Sequence, residues 1–323
     1  MTQREDKAAM IAPELVPGLA LLPDLDFSIG LEPYRAGFAG MALPELPVEL
    51  SAVACTERRV PGHESAPDVR VLVYDPPGPS HVQRPAVLHM HGGGFVIGVP
   101  EMNDACNRAM ALEHDCVVVS VDYRLAPEVT WRGSLSDNYS ALAWLADPGS
   151  GLNIDPARIA LAGESAGGGH AAMLALHVRD GQRGGARLTP CFLLLDAPML
   201  DDRTSARDDP HPHTGNFVWT EEHNRFGWEA LLGGTADDAA PIPARATDLA
   251  GLPPTFISVG ALDLFLEENI EWVRHLTRAG VAAELHVLPG AYHGFGMAGE
   301  SPQASQLHAL RSAALARAFW LPR

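Results

Sequence analysis

From residue 52 onward the hydrophobic pattern alternates between two periods. Short apolar runs at 70–74, 86–90, 116–122, 158–162, 191–195, 255–259 and 284–288 are each followed by a turn and a longer, helix-like stretch. Runs of this length bounded by turn residues read as strands buried on both faces. Their alternation with helices predicts a mostly parallel sheet with helices on both sides. The run at 70–74 and the strand before it are expected to pair antiparallel at one edge.

Two stretches break the alternation. The first fifty residues are rich in proline and carry apolar clusters at 15–22, 27–31 and 34–43 with helix-like spacing and no strand alternation. Between Asp196 and the run at 255–259, residues 201–215 are polar and proline-bearing. Phe217, Trp219, Phe226, Trp228, Leu231 and Leu232 then follow at helix-like spacing over 216–232. One domain is expected over 1–323, with 1–50 as an N-terminal helical cap segment and 200–235 as a cap insertion. Aromatics at helical spacing can pack a helix onto a core or cover a site, and both can hold at once.

The run at 158–162 leads into Gly163-Glu164-Ser165-Ala166-Gly167 and then a small-residue helix at 171–178. A G-x-S-x-G turn between a strand and a helix is a nucleophile elbow. Its glycines relieve a backbone approach too close for any β-carbon, and the strained turn exposes the serine Oγ at a helix N-terminus. In a chain with 31 glycines the motif alone is weak. Its context is what removes the alternative of an ordinary Gly-Ser turn. His91-Gly92-Gly93-Gly94 follows the run at 86–90, and such a loop can turn its amides toward one point. The amides of Gly93, Gly94 and Ala166 are the candidate oxyanion donors, with His91 orienting the loop. A phosphate cradle would need a G-x-x-x-x-G-K-[ST] lysine, which is missing.

An acid and a histidine follow the serine in chain order. Asp263 lies just beyond the run at 255–259, and His293 lies in the loop after the run at 284–288. Ser165, Asp263 and His293 thus each sit at the carboxyl end of a strand, in the order found in α/β-hydrolases. Glu267 and Glu268 are alternative acids, and Asp263 is preferred because it is nearer the strand tip. His89 with His91, and Asp209 with His211 and His213, have metal-ligand residue types but no further ligand cluster at a fixed spacing.

Composition narrows the class. With 46% hydrophobic and 20% charged residues, 323 residues suffice for one extensive core and an accessory lid. A net charge of −17 opposes binding to nucleic acid. Cys55, Cys106, Cys116 and Cys191 have no C-x-x-C spacing and read as free thiols of a reducing compartment. Residues 1–7 lack a leader pattern and nowhere do 18 consecutive apolar residues occur, so a cytoplasmic protein with no membrane partner is expected.

On His91-Gly92-Gly93-Gly94, on Asp122-Tyr123-Arg124-Leu125-Ala126-Pro127-Glu128, on Gly163-Glu164-Ser165-Ala166-Gly167-Gly168, and on the stretch from Asp248 through Asp263 to His293, the chain resembles the hormone-sensitive-lipase-like bacterial carboxylesterases. Within them it is similar to the bacterial heroin-esterase type, over nearly its whole length. The resemblance implies an α/β-hydrolase fold with an eight-stranded sheet and a helical cap made by the N-terminal region and the insertion. It also implies that the block ending at Glu128 braces the oxyanion loop, and that the chain forms a homodimer through an edge strand, here 284–288. Glu164 departs from the Asp that many relatives carry, which leaves its hydrogen bonds open. The expected chemistry is hydrolysis of a small-molecule ester through an acyl-enzyme, with no cofactor. Hydrolysis of an amide, lactone or carbonate uses the same residues, and a non-catalytic ligand-binding relative is a further alternative.

Overall fold

The computed structural model describes residues 7–43, 45–79, 82–181, 188–234 and 239–320. The apolar runs pair into one sheet of eight strands: β1 (Ala54–Val60), β2 (Val69–Asp75), β3 (Arg84–Met90), β4 (Val117–Asp122), β5 (Ile154–Glu164), β6 (Phe192–Asp196), β7 (Thr255–Gly260) and β8 (Ala283–Leu288). Their order across the sheet is β1-β2-β4-β3-β5-β6-β7-β8. β2 is antiparallel to β1 and to β4, as expected for one edge, and β3 to β8 run parallel.

Seven helices of two or more turns accompany the strands among the described residues: α1 (Glu32–Ala39), α2 (Asp104–His114), α3 (Trp131–Ala146), α4 (Ala166–Gly181), α5 (Glu221–Leu232), α6 (Leu266–Arg278) and α7 (Pro302–Trp320). Alternate strand side chains point to opposite faces. In β6, Leu193 and Leu195 therefore join Leu142 of α3, Leu174 of α4 and Trp272 of α6. Phe192 and Leu194 join Met110 of α2 and Leu315 and Phe319 of α7 on the other face. Each such burial contributes about 2 kcal/mol, so both faces of the central strands are fixed by packing.

The two irregular stretches are less helical than their spacing predicts. The N-terminal clusters form short turns at Pro13–Leu15, Val16–Leu19 and Phe27–Ile29, and only the third yields a two-turn helix, α1. Prolines in the first turns of three of these pieces supply no N–H, so the chain starts helices there and does not extend them backward. In the insertion, α5 begins at Glu221 because Thr220 caps it, its hydroxyl accepting the N–H of His223 while His223 Nδ1 accepts the N–H of Thr220. Phe217 and Trp219 thus precede the helix. They flank Val218, whose φ is 63°, in a tight turn closed by the Trp219 N–H on the Phe217 carbonyl.

Because β3, β5, β7 and β8 are parallel, the loops carrying His91, Ser165, Asp263 and His293 emerge at one edge of the sheet. The N-terminal segment lies against the last of them. Ile11 and Leu15 are buried with Leu288, Tyr292 and Phe295. The Tyr292 hydroxyl donates to the Leu15 carbonyl at 2.9 Å, and the Ala12 N–H to the Gly290 carbonyl at 3.0 Å.

Candidate active site

Ser165 follows the last residue of β5 and precedes the first of α4 with φ of 54°, a conformation that costs a non-glycine residue about 1–3 kcal/mol. The surroundings hold it there. Its N–H donates to the Asp196 carbonyl at 2.9 Å, and its own carbonyl accepts the N–H groups of Gly169 and Met199. A β-carbon on Gly163 would lie 2.4 Å from the Gly167 backbone, and one on Gly167 would lie 2.0 Å from the Met90 carbonyl oxygen. The close approach expected from the motif is therefore real, and it seats the turn on the end of β3.

The serine hydroxyl donates to His293 Nε2 at 2.9 Å, and His293 Nδ1 donates to Asp263 Oδ2 at 2.8 Å. The carboxylate fixes this tautomer, because it can only accept. Asp263 is 1% exposed, and its other oxygen accepts the Phe265 N–H at 2.9 Å. The edge of the Phe265 ring meets the imidazole with centroids 5.2 Å apart. The alternative acids are engaged elsewhere: Glu267 pairs with Arg207, and Glu268 accepts the N–H groups of Leu200 and Asp201 and the Thr204 hydroxyl. The buried Glu268 carboxyl has its pKa pushed up to about 8 by burial.

The glycine loop lies against the elbow. The β-carbon position of Gly92 is 3.6 Å from Cβ of Ser165. Gly93, Gly94 and Phe95 adopt φ of 121°, 59° and 70° in succession, which turns the loop sharply after β3. Among the described residues, the Gly93 and Gly94 amides donate to no protein acceptor. Ala166, the third expected donor, is the first residue of α4, where the N–H has no intrahelical partner. His91 is fully buried, donates from Nδ1 to the Gly92 carbonyl at 2.7 Å, and stacks on Tyr123 with centroids 4.3 Å apart. Burial drives its pKa down to about 4, so it is a neutral strut of the loop. The Tyr123 hydroxyl donates to the His91 carbonyl, and the Ala126 N–H to the Phe95 carbonyl. The block 122–128 therefore touches the loop at two backbone points.

Glu164 has partners that its neighbours in sequence do not disclose. His89 Nε2 lies 3.0 Å from its carboxylate and Nδ1 lies 2.9 Å from the Ser120 hydroxyl. Arg311 of α7 reaches across the sheet edge, 3.0 Å from Asp196 and 3.6 Å from Glu164. Ser258 donates to Asp196 at 2.5 Å. Ser120, His89, Glu164, Arg311, Asp196 and Ser258 form a polar belt beneath the elbow that crosses β4, β3, β5, β6 and β7. Burial opposes the Glu164 carboxylate, and His89 and Arg311 outweigh it, leaving its pKa below the usual carboxylate value. His89 and His91 are thus engaged in separate contacts. His211 and His213 have ring centroids 6.0 Å apart, and no group of three metal-ligating side chains converges among the described residues.

Over this edge stand aromatic residues from both irregular stretches. Trp219 is 6.4 Å from the His293 ring by centroids and contacts Phe27 and His223. Phe27 also meets Tyr34 and Phe226. His223 bonds through Nε2 to the Leu25 carbonyl at 3.0 Å, tying α5 to the N-terminal segment. Phe217 packs with Ile11 and Tyr292, beside the His293 loop. Phe38 is partly buried against the main core.

Similarities to known proteins agree with this geometry. Residues 87–297 match the family model described as alpha/beta hydrolase fold. Esterase LipI of Mycobacterium tuberculosis is 32% identical over 309 residues, covering 88% of this chain and 95% of the relative. Carboxylesterase NlhH of the same organism is 33% identical, covering 95% and 97%. The solved structure of a bacterial heroin esterase superposes with a TM-score of 0.83 at 33% identity, covering 96% of this chain and 98% of that one. None of the described helices is long and apolar enough to cross a membrane. The chain belongs to the alpha/beta hydrolase fold family.

Proposed function

We propose that the protein is a carboxylesterase that hydrolyses short-acyl esters of small molecules through an acyl-enzyme on Ser165. The observation that carries this is the buried chain of hydrogen bonds from Ser165 through His293 to Asp263, at 2.9 and 2.8 Å. As the Ser165 Oγ attacks the ester carbonyl, His293 Nε2 takes its proton and then gives it to the leaving alkoxide. Asp263 holds the tautomer and stabilises the imidazolium. The amides of Gly93, Gly94 and Ala166 receive the oxyanion. Water deprotonated by the same imidazole then attacks the acyl carbon and releases the acid.

The residues before Ala52 and the insertion around α5 act as the cap, and their aromatics limit the acyl group to about two to six carbons. Four free cysteines accord with a reducing, cytoplasmic setting. β8 is the outer strand of the sheet, and its free edge suits pairing with a second copy. The decisive experiment is turnover of p-nitrophenyl butyrate. Burst release of nitrophenol, abolished by a serine-directed organophosphate and by Ser165→Ala, is expected. Undiminished turnover by Ser165→Ala would overturn the assignment.

A further inference from the structure

The oxyanion loop has a third brace, and it comes from the N-terminal segment. Arg35 of α1 donates from Nε to the Val96 carbonyl at 2.9 Å and from Nη2 to the Ala126 carbonyl at 2.7 Å. Its two terminal nitrogens also grip Glu128 at 2.8 and 2.9 Å. One planar fork thus joins the residue just after the glycine loop to the block 122–128, a geometry that lysine cannot reproduce.

The position of this fork matters because of strain. Phe95 holds φ of 70°, and a non-glycine residue stays in that region only when its surroundings over-determine it. On one side the Ala126 N–H holds the Phe95 carbonyl, and on the other Arg35 holds Val96. Val96 N–H in turn bonds the Gly93 carbonyl, so a shift at Val96 is passed to the peptide of Gly94. Arg35 is also adjacent to Tyr34, which contacts Phe27 in the aromatic cluster beside Trp219.

We propose that Arg35 is a positioning residue of the oxyanion hole, through which the N-terminal segment sets the geometry of the Gly93 and Gly94 amides. This rests on the esterase assignment for its catalytic consequence and not for its structural one. The segment that lines the acyl site then also aligns the groups that stabilise charge, so cap and catalytic power are coupled. Loss of one oxyanion donor costs about 10²–10³ in rate, and a misplaced loop costs less, about 10- to 100-fold.

The test compares Arg35→Met and Arg35→Lys with the unaltered protein by three readouts. With p-nitrophenyl butyrate, kcat is expected to fall about 10- to 100-fold for Arg35→Met and nearly as far for Arg35→Lys, with KM changed less than about threefold. A butyl trifluoromethyl ketone, whose carbonyl carbon bonds the Ser165 Oγ while the proton passes to His293 and the carbonyl oxygen becomes the oxyanion, should lose affinity by a similar factor. The matching secondary alcohol, which forms no oxyanion, should bind unchanged. Amide hydrogen exchange read by mass spectrometry should quicken at 92–98 and stay constant in β5 and β6. Glu128→Gln added to Arg35→Met should cost little more. Unchanged kcat together with unchanged exchange at 92–98 overturns the proposal, as does equal weakening of ketone and alcohol. If no ester is turned over by the unaltered protein, the esterase assignment fails while the exchange result still decides the role of Arg35.

Discussion

Trp219 occupies the space that a side chain on Gly94 would need: a β-carbon there would lie 2.0 Å from Cη2 of the indole. The ring is 3% exposed and stands between the glycine loop and His293. Gly94 must therefore be glycine for two reasons, its φ of 59° and this contact. We therefore propose that Trp219 forms one wall of the acyl site. Trp219→Ala is expected to raise kcat/KM for acyl chains of about eight or more carbons and to lower it about tenfold for acetyl and butyryl esters, since each fitted or clashing methylene is worth about 1–3 kcal/mol. A p-nitrophenyl ester series measures this. An unchanged chain-length profile would remove Trp219 from the pocket.

Ser165→Ala and His293→Ala should each lower kcat by about 10³-fold or more, and the double variant should lose little beyond either, because the pair works as one unit. Asp263→Asn should be nearly as damaging. Glu267→Gln and Glu268→Gln should retain most activity, since neither carboxylate contacts His293 among the described residues. A reversed ranking of the three acids would move the triad.

The residues of the Ser165–His293–Asp263 hydrogen-bond chain and the glycine loop were legible because each depends on local signals: an apolar run, a turn with small residues, and a fixed chain order after a strand. The belt under the elbow and the Arg35 brace were not. Arg311 and Arg35 lie on helices with no motif around them, and their partners are distant in sequence, Val96 standing 61 positions after Arg35. Nothing in local spacing distinguishes such an arginine from a solvated one. The start of α5 lies later than the apolar spacing predicts, for a different reason. Phe217 falls on a helical period with Trp228, and Trp219 with Phe226, but a capping threonine and a turn with positive φ separate them from the helix. Apolar period alone does not see the cap.

EDTA should leave ester turnover unchanged after prolonged dialysis, as the proposed mechanism uses only the Ser165, His293 and Asp263 side chains and backbone amides. Loss of activity restored by added zinc would instead point to a role for His89 and His91 or for His211 and His213.

Arg311→Met should destabilise the protein strongly, by about 3 kcal/mol, because it leaves Glu164 and Asp196 with less compensation beneath the elbow. Adding Glu164→Gln to that variant should recover part of the loss by removing one of the stranded charges. Urea denaturation of the single and double variants measures both steps. Additive losses would mean that Arg311 and Glu164 are not coupled.

The last prediction concerns Glu268, which joins the first turns of α6 to the loop after β6. Burial raises its folded pKa from 4.5 to about 8. Between these values the unfolded chain releases a proton that the folded protein keeps, so this group makes stability fall as pH rises, by at most about 1.4 kcal/mol per unit. Below pH 4.5 its contribution is fully present, and above about pH 8 it is lost. Glu268→Gln preserves the acceptor for the Leu200 and Asp201 amides and offers an N–H to the Thr204 hydroxyl, without titrating. The Tm of the variant relative to the unaltered protein should therefore climb steadily from about pH 5 to about pH 8. Melting curves across that range decide the matter. A constant difference would show that Glu268 ionises normally in the folded state, and a difference that shrinks with pH would reverse the sign.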